Sequence, residues 1–204
     1  MLQGSDAPTA SDTAGLTFFH GTSVYFAQEI ARGGSNEKFL ANIGAFALGK
    51  QIVIGLSRIA NVKQGNWLPS SAFPCATDSD LSLVSNALWV DSSFQYGAFF
   101  ATLNFENAKL YATHGSEYLR AIRAGLRLLG SVGASFLEGA SSTLRELLLS
   151  PHEPAVVEIK GISRDRLYGT KEAPSIEQTL QSYQKYKNDP GVRMPWAVRI
   201  SSRP

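Results

Sequence analysis

Short apolar runs are separated along the chain by longer amphipathic segments, and glycine, proline and serine mark the boundaries. Apolar runs rich in β-branched and aromatic residues predict short strands. Four such runs occur, at residues 16–19, 97–102, 155–162 and 195–201. The third run, AVVEIKGI, is the clearest, because the polar residues Glu158 and Lys160 alternate with its apolar ones.

Apolar residues that recur three and four positions apart predict helices between and after these strands. The predicted helices span residues 24–32, 104–112, 116–129, 143–149 and 179–187. The helix at 116–129 carries Arg120, Arg123 and Arg127 on its polar face, which we expect to be solvated. Residues 130–142 are small and are predicted to be flexible. Since strands and helices mix without regular β-α-β alternation, the sequence predicts an α+β fold.

The stretch from residue 35 to residue 88 has no clear period. Residues 39–59 are apolar and spaced by glycines, whereas residues 61–80 contain two prolines and several serines and are typical of a loop. A loop as long as residues 61–80 inside a compact domain usually has a function or belongs to an insertion. We therefore predict one domain over residues 16–204 with an inserted loop or subdomain at about 35–88. We expect residues 60–90 to lie beside the functional site and to recognise a partner.

Composition narrows the class of protein. The chain has 204 residues, 44% hydrophobic and 18% charged, which is typical of one globular domain. Its 19 basic and 17 acidic side chains give a formal net charge of +2, too small to indicate a nucleic-acid or membrane partner. Residues 1–15 are small and polar, so we expect them to be disordered and not to form a Sec-type signal peptide. No apolar run reaches the roughly 18 residues that a membrane helix needs.

The cysteine and histidine content argues against disulfides and metals. Cys75 is the only cysteine, and without a nearby histidine we expect it to pack rather than to react. His20, His114 and His152 lie far apart and lack the spacing of metal ligands, so no metal site is predicted. Dinucleotide-binding, P-loop, zinc-protease and serine-hydrolase motifs are also absent from the sequence.

Three separated segments nevertheless occur along the chain in a specific order. The first is a strand that ends in His-Gly-Thr at residues 20–22, and the second is FQYGAFFAT at 94–102, followed by a helix. The third is the strand at 155–162, followed by candidate acids and a last strand. In this order the chain resembles the ADP-ribosyltransferase superfamily, on the side of the poly(ADP-ribose) polymerases and diphtheria toxin. The resemblance covers most of residues 16–201 except 35–88, and it implies a split β-sheet core flanked by helices.

The resemblance implies that the chain binds NAD as a substrate. His20 would hydrogen-bond the adenosine-side ribose, and Thr22 would assist it. Gly21 would present its backbone to the nicotinamide carboxamide, a close approach that glycine allows.

Aromatic residues would hold the nicotinamide ring. Phe99 stands where family members carry a tyrosine, so the stacking face is kept and the hydroxyl is lost. Tyr96 or Tyr111 would supply a second face, although a place in the helix core suits Tyr111 equally well.

The resemblance also implies a carboxylate that stabilises the oxocarbenium-like ribose of the transition state. Glu177 is the first candidate and Glu172 the second, because both follow the strand at 155–162. Glu158 lies inside that strand, and we expect it to be structural. The last strand has Met194-Pro195 where an acid is expected, which departs from a simple His-Tyr-Glu arrangement.

Asp91 is a further acid, in the loop that enters the second segment. It either caps a turn or replaces part of the missing catalytic apparatus. Some bacterial enzymes that ADP-ribosylate ubiquitin on threonine use an Asp–Glu pair in extended loops, and this chain is similar in its long preceding loop.

Mono-ADP-ribosyl transfer from NAD to a protein side chain, with release of nicotinamide, is the activity that the resemblance implies. The alternatives are an NAD glycohydrolase on the same fold and an inactive member that only binds a partner protein. An RNA 2′-phosphotransferase-like reaction is disfavoured, because no basic groove is evident in the sequence.

The implied partner is a protein acceptor, with ubiquitin as one candidate, and no nucleic acid or membrane is expected. The chain is expected to be a monomer that is secreted into a host cell as an effector or toxin. Without that export, a cytoplasmic location is expected.

Overall fold

The structure is a computed structural model that describes residues 15–34, 36–62, 68–89, 98–168, 175–188 and 198–201. The described residues mix helices and strands, which is compatible with the predicted α+β class. The chain divides into two compact units. The first unit is drawn from residues 1–21, 97–112 and 155–204, and the second from 22–96 and 113–154.

The secondary structure falls into five strands and nine helices within these described ranges. The strands are β1 (Phe18–Ser23), β2 (Ala98–Ala101), β3 (Pro154–Ile159), β4 (Leu167–Tyr168) and β5 (Val198–Ser201). The helices are α1 (Val24–Ala31), α2 (Asn36–Asn42), α3 (Ala45–Ala60), α4 (Asp78–Val84), α5 (Phe105–His114), α6 (Glu117–Leu129), α7 (Ser131–Glu138), α8 (Ser142–Leu149) and α9 (Ile176–Asn188). Short 3₁₀ turns at Ser70–Ala72 and Arg164–Arg166 and a π-helical turn at Ser85–Trp89 complete the set.

The first unit contains two small sheets. Strands β2, β5 and β4 pair antiparallel in that order, with Phe99 opposite Ile200 and Leu167 on the other side of the same residue. Strands β1 and β3 form a separate pair. The core of this unit is an apolar cluster of the buried residues Phe18, Ala101, Leu103, Leu167, Ile176 and Ile200.

The second unit is helical, and α3 and α6 are central to its core. Gly125 of α6 faces Ile52 of α3, and Gly49 of α3 faces Tyr118 of α6, so closely that a Cβ at either glycine would overlap its neighbour. Small residues at these two positions therefore let the two helices approach each other. Around them, α4 contributes Leu81 and Val84 to the same core.

Side-chain caps fix where several helices of the second unit begin. The hydroxyl of Thr77 accepts a hydrogen bond from the Asp80 amide at the start of α4, over 3.0 Å. Ser116 and Ser141 cap α6 and α8 in the same way, because their hydroxyls accept from the amide three residues ahead.

The five helices predicted from periodicity are confirmed as α1, α5, α6, α8 and α9. The stretch at about 35–88, predicted as an inserted loop or subdomain, contains helices α2, α3 and α4 in its described parts. Buried residues of 68–89, Phe73 and Leu88 among them, belong to the core of the second unit rather than to an appended loop. The flexible stretch predicted at 130–142 is wrong, since α7 occupies most of it.

The predicted packing role of Cys75 was wrong as well, because Cys75 is a free and exposed thiol. No helix of the described ranges is both long and apolar enough to cross a bilayer.

Candidate functional site

His20 lies in β1, and its imidazole contacts the second sequence segment. Its Nδ1 is 2.5 Å from the carbonyl oxygen of Phe100, 80 residues along the chain. Because a carbonyl can only accept, Nδ1 carries the proton, and in the neutral ring Nε2 is the acceptor nitrogen. Burial lowers the pKa of His20 from its ordinary value, and the hydrogen bond to Phe100 opposes this only in part. The site therefore favours a neutral imidazole.

Strand β1 and the end of β2 lie side by side in the first unit. The amide of Phe19 donates to the Thr102 carbonyl over 2.7 Å, and the Thr102 amide donates back over 2.8 Å. The Thr102 hydroxyl accepts from the Asn104 amide, and the Asn104 side chain caps α5 by accepting from Glu106. Backbone pairing thus brings together the two segments that carry the His-Gly-Thr and aromatic motifs.

Gly21 packs directly against α5. A Cβ built on Gly21 would overlap the carbonyl oxygen of Ala108, and it would lie 2.6 Å from the Ala112 amide nitrogen and 2.9 Å from Tyr111 Cβ. A glycine is therefore required at this position by helix packing alone. This requirement is independent of any contact between the Gly21 backbone and a nicotinamide.

The remaining predicted NAD contacts are spread over β1, β2 and α5. Thr22 is buried at the end of β1. The backbone of Phe99 lies in β2 opposite Ile200. Tyr111 is 44% exposed on α5, so it lies at the surface and not in the helix core. Tyr96 lies outside the described residues.

Glu177 lies in the first turn of α9, on a helix and not on a strand. Ser175 and Gln178 form a capping box there: the Ser175 hydroxyl accepts from the Gln178 amide, and the Gln178 side chain accepts from the Ser175 amide. This Ser-x-x-Gln pattern is visible in the sequence and marks a helix start at 176, three residues before the predicted one.

The carboxylate of Glu177 pairs with the guanidinium of Arg164. The hydrogen bond from Arg164 is the main cause that lowers the pKa of Glu177, and the Glu177 amide and the Ser175 hydroxyl add to it. Glu177 is thus held ionised, with a structural partner already in place.

The other candidate acids give no geometry to compare with Glu177. Glu172 and Asp91 both lie outside the described residues. Glu158, for which a structural role was expected, is exposed on β3 and pairs with Lys160 over 2.9 Å.

The arginines of α6 were expected to form a solvated face, and two of them instead make specific contacts. Arg127 pairs with Asp80 of α4 over 2.7 Å. Arg123 donates through Nη2 to the carbonyl oxygens of Leu147 and Ser150, at 2.5 and 3.1 Å, where α8 ends. Arg127 is nevertheless solvated as expected, with its side chain 61% exposed. The expectation was wrong for Arg123, because periodicity identifies a polar face but not what packs on it.

Sequence reasoning also missed a cavity of about 40 Å³ inside the second unit. Arg120, Arg123, His114 and His152 line it together with Glu153. A signal was present in the sequence, since His-Gly-Ser at 114–116 directly precedes arginines spaced i and i+3 on a helix. Across the ranges that the structure describes, no three potential metal ligands are grouped.

Comparison with known proteins gave no match, neither to a protein-family profile, nor to a curated protein, nor to a solved structure. The resemblance to ADP-ribosyltransferases therefore depends on this chain's own residues and their placement.

Proposed function

We propose that this protein transfers ADP-ribose from NAD to a protein side chain and releases nicotinamide. One observation carries the proposal. The His-Gly-Thr segment and the aromatic segment are about 80 residues apart in sequence, yet they lie side by side, and His20 bonds to the Phe100 carbonyl. A site built from these segments requires that neighbourhood, and this agreement supports the proposal.

The state of His20 suits an acceptor role toward a ribose hydroxyl. With Nδ1–H bonded to Phe100, the neutral ring presents Nε2 as an acceptor. The Nε2 atom is buried, so a ribose hydroxyl reaches it only after a local movement of the groups above it. Binding of NAD is therefore expected to change the environment of His20 as well as to fill a site.

In the transfer step, the bond between the nicotinamide nitrogen and ribose C1′ breaks, and nicotinamide leaves with the electron pair. The acceptor side chain attacks C1′ and loses a proton. A carboxylate that stabilises the positive ribose lowers the barrier. Glu177 is the first candidate, although it must keep or exchange its pairing with Arg164 while it acts. Glu172 and Asp91 are the alternatives, and ubiquitin is the first acceptor to test.

Release of nicotinamide from NAD tests the proposal. The informative variant is His20→Asn, because the asparagine amide can still donate to the Phe100 carbonyl while the acceptor Nε2 is lost. We expect the wild type, supplied with host-cell lysate as acceptor, to release nicotinamide, and the folded variant to release at least about 10-fold less. Equal release by both proteins would remove His20 from the site, and no release by the wild type would end the proposal.

A further inference from the structure

The cavity in the second unit shares no lining residue with those that carry the proposed function. The start of α1, the turn between α5 and α6, and the segment after α8 enclose it. Its volume of about 40 Å³ holds about three water-sized groups, at roughly 10–15 Å³ each. The cavity volume is therefore similar to the volume that the oxygens of one small oxyanion occupy.

Positive charge dominates the cavity lining. Arg120 and Arg123 are neighbours on one face of α6, and both line the cavity. Neither forms an ion pair with any carboxylate of the described residues. Glu153 is the one acidic residue of the lining, and it is exposed. The lining therefore contains two arginines and one exposed acidic residue.

Arg123 has hydrogen-bonding capacity that its structural role does not use. Its Nη2 caps the end of α8, but its Nε is buried and has no acceptor among the described residues. Burial is the main cause that lowers the pKa of Arg123, and Arg127 adds to it by repulsion. A partly buried cation without a counter-charge is costly, and an anion in the cavity would remove that cost.

Neutral hydrogen-bonding groups complete the lining. Gly115 has a φ of +68°, and a Cβ there would lie 2.8 Å from Cε1 and Nδ1 of His152, so only glycine admits the imidazole at this place. His114 and Ser116 also line the cavity, and Ser116 is the N-cap of α6. The dipole of a helix favours negative charge at this end. Tyr25 also lines the cavity, and its hydroxyl donates to Glu146 over 3.2 Å.

We propose that this cavity binds a phosphate-sized oxyanion through Arg120 and Arg123. The ligand is inorganic phosphate or the terminal phosphate of a small phosphate monoester. The proposal does not depend on NAD or on transfer activity.

Titration calorimetry of the full chain with inorganic phosphate, at fixed ionic strength, tests this site. The variant is Arg120→Gln, since Arg123 also holds the end of α8 and its loss would disturb the fold. The matched control is Arg127→Gln, which removes the same charge from the same helix but outside the cavity lining. A second titration with AMP distinguishes the free anion from a monoester.

We expect phosphate or AMP to bind the wild type, Arg120→Gln to weaken binding by about 10- to 100-fold, and Arg127→Gln to leave it within about 2-fold. Binding of AMP as well as phosphate assigns the site to monoesters, and binding of phosphate alone assigns it to the free anion. The proposal is overturned if neither ligand binds the wild type, or if the two variants weaken binding equally.

Discussion

Replacing Gly21 by alanine tests the most constrained contact of the first unit. The new Cβ would overlap the Ala108 carbonyl oxygen and lie 2.6 Å from the Ala112 nitrogen. Both are backbone atoms of α5 and cannot rotate away, so β1 and the helix must separate. Overpacking usually lowers the free energy of unfolding by about 1–3 kcal/mol. Because the neighbours here are rigid backbone atoms, we expect a loss of about 3 kcal/mol. For a chain of this length, that corresponds to a fall of about 6–12 °C in Tm.

Thermal unfolding followed by circular dichroism measures the change, and hydrogen exchange of the α5 amides locates it. Gly139→Ala is the matched control, because its nearest atoms, Phe136 O and Ser135 O, lie 3.7 and 3.8 Å from the new Cβ. Its φ of −76° also suits alanine, so we expect no loss of stability. If Gly21→Ala melts within about 2 °C of the wild type with unchanged exchange in α5, the packing argument is refuted.

Three further variants test the charges of the first unit. The pKa of His20 in the folded chain lies below its ordinary value of 6.5. When the pH falls from 6.5 toward that lower pKa, the unfolded chain gains a proton that the folded chain does not, so the folded chain loses stability. Denaturant unfolding at pH 7.5 and 5.5 should therefore show a smaller loss in His20→Asn than in the wild type, and an equal loss would contradict the buried neutral ring. Glu177→Gln should lower transfer by about 100- to 1,000-fold, whereas Arg164→Gln, which breaks the same ion pair, should retain most of it. Equal losses in nicotinamide release would instead make the pair purely structural.

Helices with a cap and a regular period could be read from the sequence to within a few residues. Helix α6 at 117–129, capped by Ser116, and helix α8 at 142–149, capped by Ser141, are two examples. In both, a local signal and an amphipathic pattern agree, so no tertiary information is needed.

Helix α3 escaped prediction because apolar residues occupy its exposed positions as well as its buried ones. Ile52, Val53 and Leu56 enter the core. Ile54 and Ile59 lie about half exposed, which weakens the contrast between polar and apolar faces. Gly49 and Gly55 looked like breaks in the pattern, yet both face side chains of the second unit at close range. Glycine at a packing contact and glycine at a turn are identical in a single sequence.

The candidate site was predictable as a set of segments but not as a geometry. The contact between His20 and the Phe100 carbonyl joins residues 80 positions apart, which no local pattern encodes. The pairing of Glu177 with Arg164 and the capping of α8 by Arg123 are tertiary contacts of the same kind. Sequence patterns named the candidate residues, and packing determined their contacts.

Incubation of the purified protein with adenine-labelled NAD and a host-cell lysate tests the central proposal most directly. Gel separation and chromatography then follow the label and the nicotinamide together. The account predicts label on an acceptor protein, released nicotinamide in equal amount, and neither with His20→Asn. Free labelled ADP-ribose without labelled protein would make water the acceptor, and intact NAD throughout would contradict the account.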